Sequence, residues 1–114
     1  MNVAIHKLID ELEKLGMKRG WNDADLVKFG YGSDCTATFI TIYKKSNYCT
    51  IFRQLHISRN GEYYTEESRN YNLLNYMENP ISIDTILSEM KTLIASYKEL
   101  KVKFKKQQIE KDFA

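Results

Sequence analysis

Asn60-Gly61 stands between two runs rich in β-forming residues, and no other dipeptide restricts this chain so tightly. Asn-Gly suits the positive-φ positions of a primed two-residue turn, so the flanking runs are expected to pair as antiparallel strands. Such a turn sets Arg59 opposite Glu62, Ile57 opposite Tyr64 and Leu55 opposite Glu66. Ser46-Asn47 closes the preceding hairpin in the same way, with Ile42 opposite Ile51 and Ile40 opposite Arg53. The two registers agree. They collect Ile40, Ile42, Cys49, Ile51, Leu55, Ile57 and Tyr64 on one face, a set that a one-residue slip would scatter. The second face then holds Phe39, Thr41, Tyr43, Tyr48, Thr50, Phe52, Gln54, His56, Tyr63 and Thr65, a mixture of aromatic and polar groups.

Helices are expected on either side of this strand region in the chain. Ile5, Leu8, Leu12 and Leu15 recur at three- and four-residue spacing, Asn2 can cap the segment, and Gly16 suits the residue after its end. Leu26 to Tyr31 reads as a short strand, with turn chemistry from Gly30, Gly32, Ser33 and Asp34. After a polar, aromatic connection at 68–80, Ser82 or Asp84 can cap a second helix. There Ile86, Met90, Leu93, Tyr97, Leu100 and Phe104 repeat at 4-3-4-3-4 spacing. A helix over 83–112 is about 45 Å long, more than such a sheet is wide, so its end should overhang or pack on another chain. The expected fold is α+β. It has an antiparallel sheet of three to four strands flanked by an N-terminal helix and a long C-terminal helix, in one domain over residues 1–114 with 98–114 a basic tail.

Composition narrows the class. With 114 residues, 43% hydrophobic and 28% charged, the chain has the make-up of an ordinary globular domain. Residues 2–16 alternate charged and apolar groups, unlike a secretory signal, and no apolar run approaches a membrane span. Cys35 and Cys49 lie in strand patterns without CxxC spacing, which reads as reduced thiols in a cytoplasmic protein. Phe, Tyr, Met, Ile, Asn and Lys number 49 against 15 for Gly, Ala, Arg and Pro. That bias implies AT-rich codons and points to a bacterium, a phage or a mobile element.

Catalytic and metal chemistry find little support. His6 and His56 stand on separate elements, without HxxxH or HExxH spacing and without an assured acid or nucleophile partner. Asn22, Asp23 and Asp25 lack the later glycine and distal glutamate of an EF-hand loop and read as a polar turn. The run Gly30-Tyr31-Gly32 is not followed by the Lys-Ser or Lys-Thr of a P-loop. No catalytic residue, metal or cofactor is expected. Arg53 is the odd member of the apolar face, and Glu66, diagonally across the hairpin, is its expected partner.

Two surfaces remain. The aromatic sheet face has three readings, headed by cover beneath the second helix in a three-layer sandwich. The others are a protein-binding surface anchored by Phe39, Tyr43, Tyr48, Phe52, His56 and Tyr63, and a stacking platform for bases, for which an RRM-type signature is missing. Residues 98–114 carry a net charge of +3 against −1 for the rest. Lys98, Lys101, Lys105 and Lys106 would supply phosphate contacts or steer an acidic partner. The chain is therefore expected to be a small non-enzymatic protein-interaction factor acting by occlusion, such as a phage or mobile-element inhibitor, with homo-oligomers through the C-terminal helix open. The alternative is a nucleic-acid-binding accessory protein.

Overall fold

The structure, a computed structural model, describes residues 3–74 and 80–112, with side chains through residue 110. The elements in chain order are α1 (Val3–Lys14), β1 (Lys18–Asn22), β2 (Leu26–Gly30), β3 (Ile40–Tyr43), β4 (Tyr48–Ile57), β5 (Tyr63–Asn72) and α2 (Ile83–Asp112). The five strands form one antiparallel sheet in sequential order, β1-β2-β3-β4-β5. The α+β class holds, with one strand more than expected. β1 escaped notice because all five of its residues are exposed, which leaves no alternation to read. β5 also extends to Asn72, into the stretch expected to be a connection.

α1 follows the expected stripe, burying Ile5, Leu8, Ile9 and Leu12, and Gly16, just past its end, takes φ 88. Its expected cap, Asn2, lies outside the described residues. α2 starts at its expected cap. Thr85 N donates to Ser82 Oγ at 3.2 Å and Ile86 N to Ser82 O at 3.1 Å.

The β4–β5 hairpin corrects the expected register. Ser58 N donates to Glu62 O at 2.8 Å and Gly61 N to Ser58 O at 3.0 Å, which closes a three-residue loop. Only Gly61, at φ 84, takes a positive φ there; Asn60 does not. This is a tight turn followed by a left-handed glycine, which consumes one residue more than a primed turn. Ile57 consequently pairs with Tyr63, His56 with Tyr64, Leu55 with Thr65 and Gln54 with Glu66. Tyr63 and Thr65 therefore share the face of Ile57 and Leu55, and Tyr64 turns to the other side.

The β3–β4 hairpin is also longer than expected, with a loop over 44–47 in which Asn47 takes φ 54 and donates to Tyr43 O at 3.0 Å. Ile40 pairs with Ile51 and Ile42 with Cys49. The shift is two residues, an even number, so the faces of β3 and β4 survive it. Phe39 is the exception before β3. Its N–H donates to Phe29 O at 2.8 Å while Ile40 pairs with the same Phe29, so two residues meet one. This bulge places Phe39 in the core, fully buried.

Val27, Phe29, Ile40, Ile42, Cys49, Ile51 and Leu55 form the sheet's share of the core, beneath Ile5, Leu8 and Leu12 of α1 and Ile86, Met90, Leu93 and Tyr97 of α2. Both helices lie on this face. Arg53 of β4 reaches Glu89 of α2, Tyr63 of β5 meets Tyr97, and α1 lies beside α2. Among the described residues the fold thus has two layers, and the three-layer reading fails. The seam of α2 seeks the apolar side of the sheet, and α1 fits beside it rather than across the opposite face.

Leu100 and Phe104 of α2 are partly buried, and residues 105–110 are exposed throughout. With 30 residues, α2 projects past the sheet in a molecule measuring 57 × 24 × 20 Å. Among the described residues, no helix is long and apolar enough to cross a membrane.

Candidate functional site

The sheet face turned away from the helices is built from short cross-strand rows. One row runs Trp21–Lys28–Thr41–Thr50–Asn70 across all five strands, and the next runs Leu26–Tyr43–Tyr48–Asn72. Beyond them lie Phe52 with Ser68, Gln54 with Glu66, and His56 with Tyr64. The rings of Tyr43 and Tyr48 stack at 4.3 Å with 13° between their planes. Thr50 Oγ1 donates to Asn70 Oδ1 at 2.6 Å. His56 Nε2 lies 3.2 Å from Gln54 Oε1 and 3.6 Å from Glu66 Oε2, and its ring centroid is 5.3 Å from that of Tyr64.

Of the aromatic anchors expected here, Tyr43, Tyr48, Phe52 and His56 are present and half-buried. Phe39 and Tyr63 are not. The bulge takes Phe39 into the core, and the longer hairpin loop puts Tyr63 against Tyr97. Two residues missed in the sequence join the face instead: Tyr64, 44% exposed, and Trp21, 58% exposed. A hairpin register one residue longer would have revealed Tyr64. Trp21 could be found only by recognising β1.

Trp21 is held in place. Its Nε1 donates to Asp23 Oδ2 at 2.8 Å, while Asp23 Oδ1 accepts from Asp25 N at 2.8 Å and Leu26 N at 2.9 Å. The Leu26 and Asp25 amides and the indole hold the Asp23 carboxyl below its usual pKa. Lys44 Nζ donates to Asn22 Oδ1 at 2.6 Å, and Lys45 pairs with Asp25 at 2.7 Å, which raises the lysine's pKa. The polar turn expected at residues 22–25 thus joins the β1–β2 end to the β3–β4 loop, beside the stacked tyrosines.

The lysines expected to contact phosphates lie in the other layer. Lys98, Lys101, Lys105 and Lys106 are exposed on α2. Lys98 Nζ stands 5.9 Å from the Tyr31 ring centroid, and Lys101 Nζ lies 3.4 Å from Tyr97 Oη and 4.0 Å from Asp34 Oδ1. Tyr97 Oη donates to Asp34, and burial with that carboxylate pushes the phenol's pKa up. The group ties the 31–38 segment to α2.

Arg53 corrects a second expectation. Its partner is Glu89 of α2 at 3.9 Å, whereas Glu66 faces the other way beside His56. A cleft of 190 Å³ lies beside it, lined by Ile51, Tyr71, Ile81 and Thr85 as well as this ion pair. His6 is exposed on α1. Cys35 and Cys49 are buried free thiols, and burial pushes the Cys49 pKa up to about 12. Among the described residues, no cluster of three His, Cys, Asp or Glu side chains could hold a metal ion.

Comparison with protein-family models, curated proteins and solved structures finds no match to this chain.

Proposed function

We propose that the chain is a small non-enzymatic protein-interaction factor of a bacterium, phage or mobile element, which acts by covering a surface of its partner. The observation that carries this reading is the open sheet face. Tyr43, Tyr48, Phe52 and His56, joined by Trp21 and Tyr64, lie on the antiparallel sheet face opposite both helices. Aromatic side chains lose little conformational freedom on binding and bury much area, which makes them the usual anchors of protein interfaces. Thr50, Asn70, Gln54 and Asn72 supply a polar surround.

The charges favour protein over nucleic acid. Lys18 and Lys28 lie at the β1–β2 edge, with Lys28 beside Trp21, whereas Phe52, His56 and Tyr64 have Glu66 in their neighbourhood, and the lysines of α2 belong to the opposite layer. A stacking platform for bases needs cations beside the rings to hold the phosphates.

Affinity capture from the source cells, with and without nuclease, tests the reading. The expected result is a nuclease-resistant protein partner retained by wild type and lost by Phe52→Ala and Tyr43→Ala, both checked for folding by circular dichroism. Loss of the captured material on nuclease treatment would overturn it, as would full retention by both variants.

A further inference from the structure

We propose that the outer face of α2, from Lys91 to Ile109, is a docking stripe for an acidic amphipathic helix of a partner protein. The inference rests on α2 alone and stands apart from the open sheet face.

The buried seam of α2 is not its only periodic pattern. Lys91, Ala95, Lys98, Val102, Lys105 and Ile109 repeat at the same 4-3-4-3-4 spacing. Each follows a seam residue by five positions, which on a helix of 3.6 residues per turn is a rotation of about 140°. All six are exposed, Val102 at 67% and Ile109 at 51%. Apolar groups and lysines thus alternate along a line about 27 Å long, five turns of helix.

The projecting end adds a second argument. Residues 105–110 are exposed on every side, so these turns bury nothing in their own domain. Unsupported helical turns are marginal in water, and their stability comes from packing of an apolar face. Ile109 offers such a face, and a 680 Å³ cleft on the inner side separates the helix end from Ile57, Ser58 and Arg59 at the hairpin tip. The helix end therefore has room on both sides for a partner element.

Charge selects the partner. Pairing of two α2 helices through this stripe would bring Lys91, Lys98 and Lys105 of both copies into one seam with no carboxylate in the stripe to meet them, so a second copy is disfavoured. Glu99 and Glu110 stand at one margin of the stripe, where Lys103 and Lys106 offset them, so the stripe and its margins stay positive. A nucleic-acid backbone would satisfy the lysines but gain nothing from Val102 and Ile109 between them. A helix with leucine-like residues in one seam and carboxylates beside it satisfies both kinds of group.

Fluorescence anisotropy of a labelled synthetic helical peptide of about 20 residues, with heptad-spaced leucines flanked by glutamates, tests the stripe. A version with glutamine for every glutamate and a single-stranded DNA of similar length serve as comparisons. The expected result is saturable binding of the acidic peptide, at least tenfold weaker for the glutamine version. Binding should also fall at least tenfold in Lys98→Glu/Lys105→Glu and severalfold in Val102→Ser/Ile109→Ser. Phe52→Ala, on the other layer, should bind the peptide as wild type does. Absence of acidic-peptide binding at 100 μM protein overturns the proposal. So do equal affinities for the two peptides, or tighter binding of DNA that the lysine reversals abolish. Far-ultraviolet circular dichroism of each variant confirms that α2 has formed.

Discussion

Tyr63 of β5 and Tyr97 of α2 meet with their ring centroids 5.2 Å apart, and this contact fastens the middle of the long helix to the sheet. Tyr63 is buried there, whereas its neighbour Tyr64 faces outward over His56. Truncation of Tyr63 to Ala should therefore cost about 3 kcal/mol, the usual scale for a buried aromatic. Tyr64→Ala should cost about 0.5 kcal/mol, as expected for a half-exposed group with one ring contact. Urea midpoints measure both. Equal losses would mean that the two tyrosines do not face opposite ways.

Tyr97 is also pressed against the backbone at Gly32. Gly32 takes φ 91, and a Cβ there would lie 2.5 Å from Tyr97 Cζ. An alanine would meet both the left-handed strain and the ring, for a loss of about 2–4 kcal/mol. Because part of that loss is the collision, Gly32→Ala with Tyr97→Leu should lose less than the sum of the two single variants. Strict additivity in denaturant unfolding would rule out the contact.

Much of this architecture is legible in the residues, and the parts that are not have identifiable causes. The stripes of α1 and α2 report burial directly, because helical period and apolar spacing coincide at Leu8, Leu12, Ile86, Met90 and Leu93. Strand faces are legible only to the parity of each turn. The β3–β4 loop is two residues longer than Ser46-Asn47 implies and leaves the faces intact, but one extra residue at Gly61 exchanges Tyr63 and Tyr64. Asn-Gly announces a turn without stating whether one or both residues take a positive φ. Bulges are equally silent, so Phe39 reads as an anchor while its side chain lies in the core. The open face could not be read from pattern alone, since half-polar strand faces occur both under helices and in solvent.

Alkaline pH should weaken the fold. Burial raises the Cys49 thiol from an ordinary value of 9.0 to about 12, and Tyr97 and Tyr63 are raised as well. Between these limits the unfolded chain releases a proton that the folded chain keeps, so stability falls as pH rises. It is constant with respect to Cys49 below about pH 9 and drops by about 1.4 kcal/mol per pH unit above it. Cys49→Ala removes that contribution. Its urea-derived stability should decline less steeply than wild type from pH 9 to 11, and parallel slopes would contradict a buried thiol.

The stacked pair Tyr43 and Tyr48 offers a way to alter the open face without unfolding the protein. The two residues are directly opposed at the closing end of the β3–β4 hairpin, with rings 4.3 Å apart. Both are half-buried and lie opposite the helical layer, so neither supports the core. A double-mutant cycle with Tyr43→Ala and Tyr48→Ala should give a coupling of about 0.5–1.5 kcal/mol, the scale of an aromatic pair beyond its buried area. Each single variant should remain folded, with the α2 signature in circular dichroism unchanged. If the face is an interface core, the same substitutions act on dissociation rate far more than on association rate, since neither removes a charge. Surface plasmon resonance against the captured partner separates the two rates. A change confined to association, with dissociation at the wild-type value, would place these tyrosines outside the interface core.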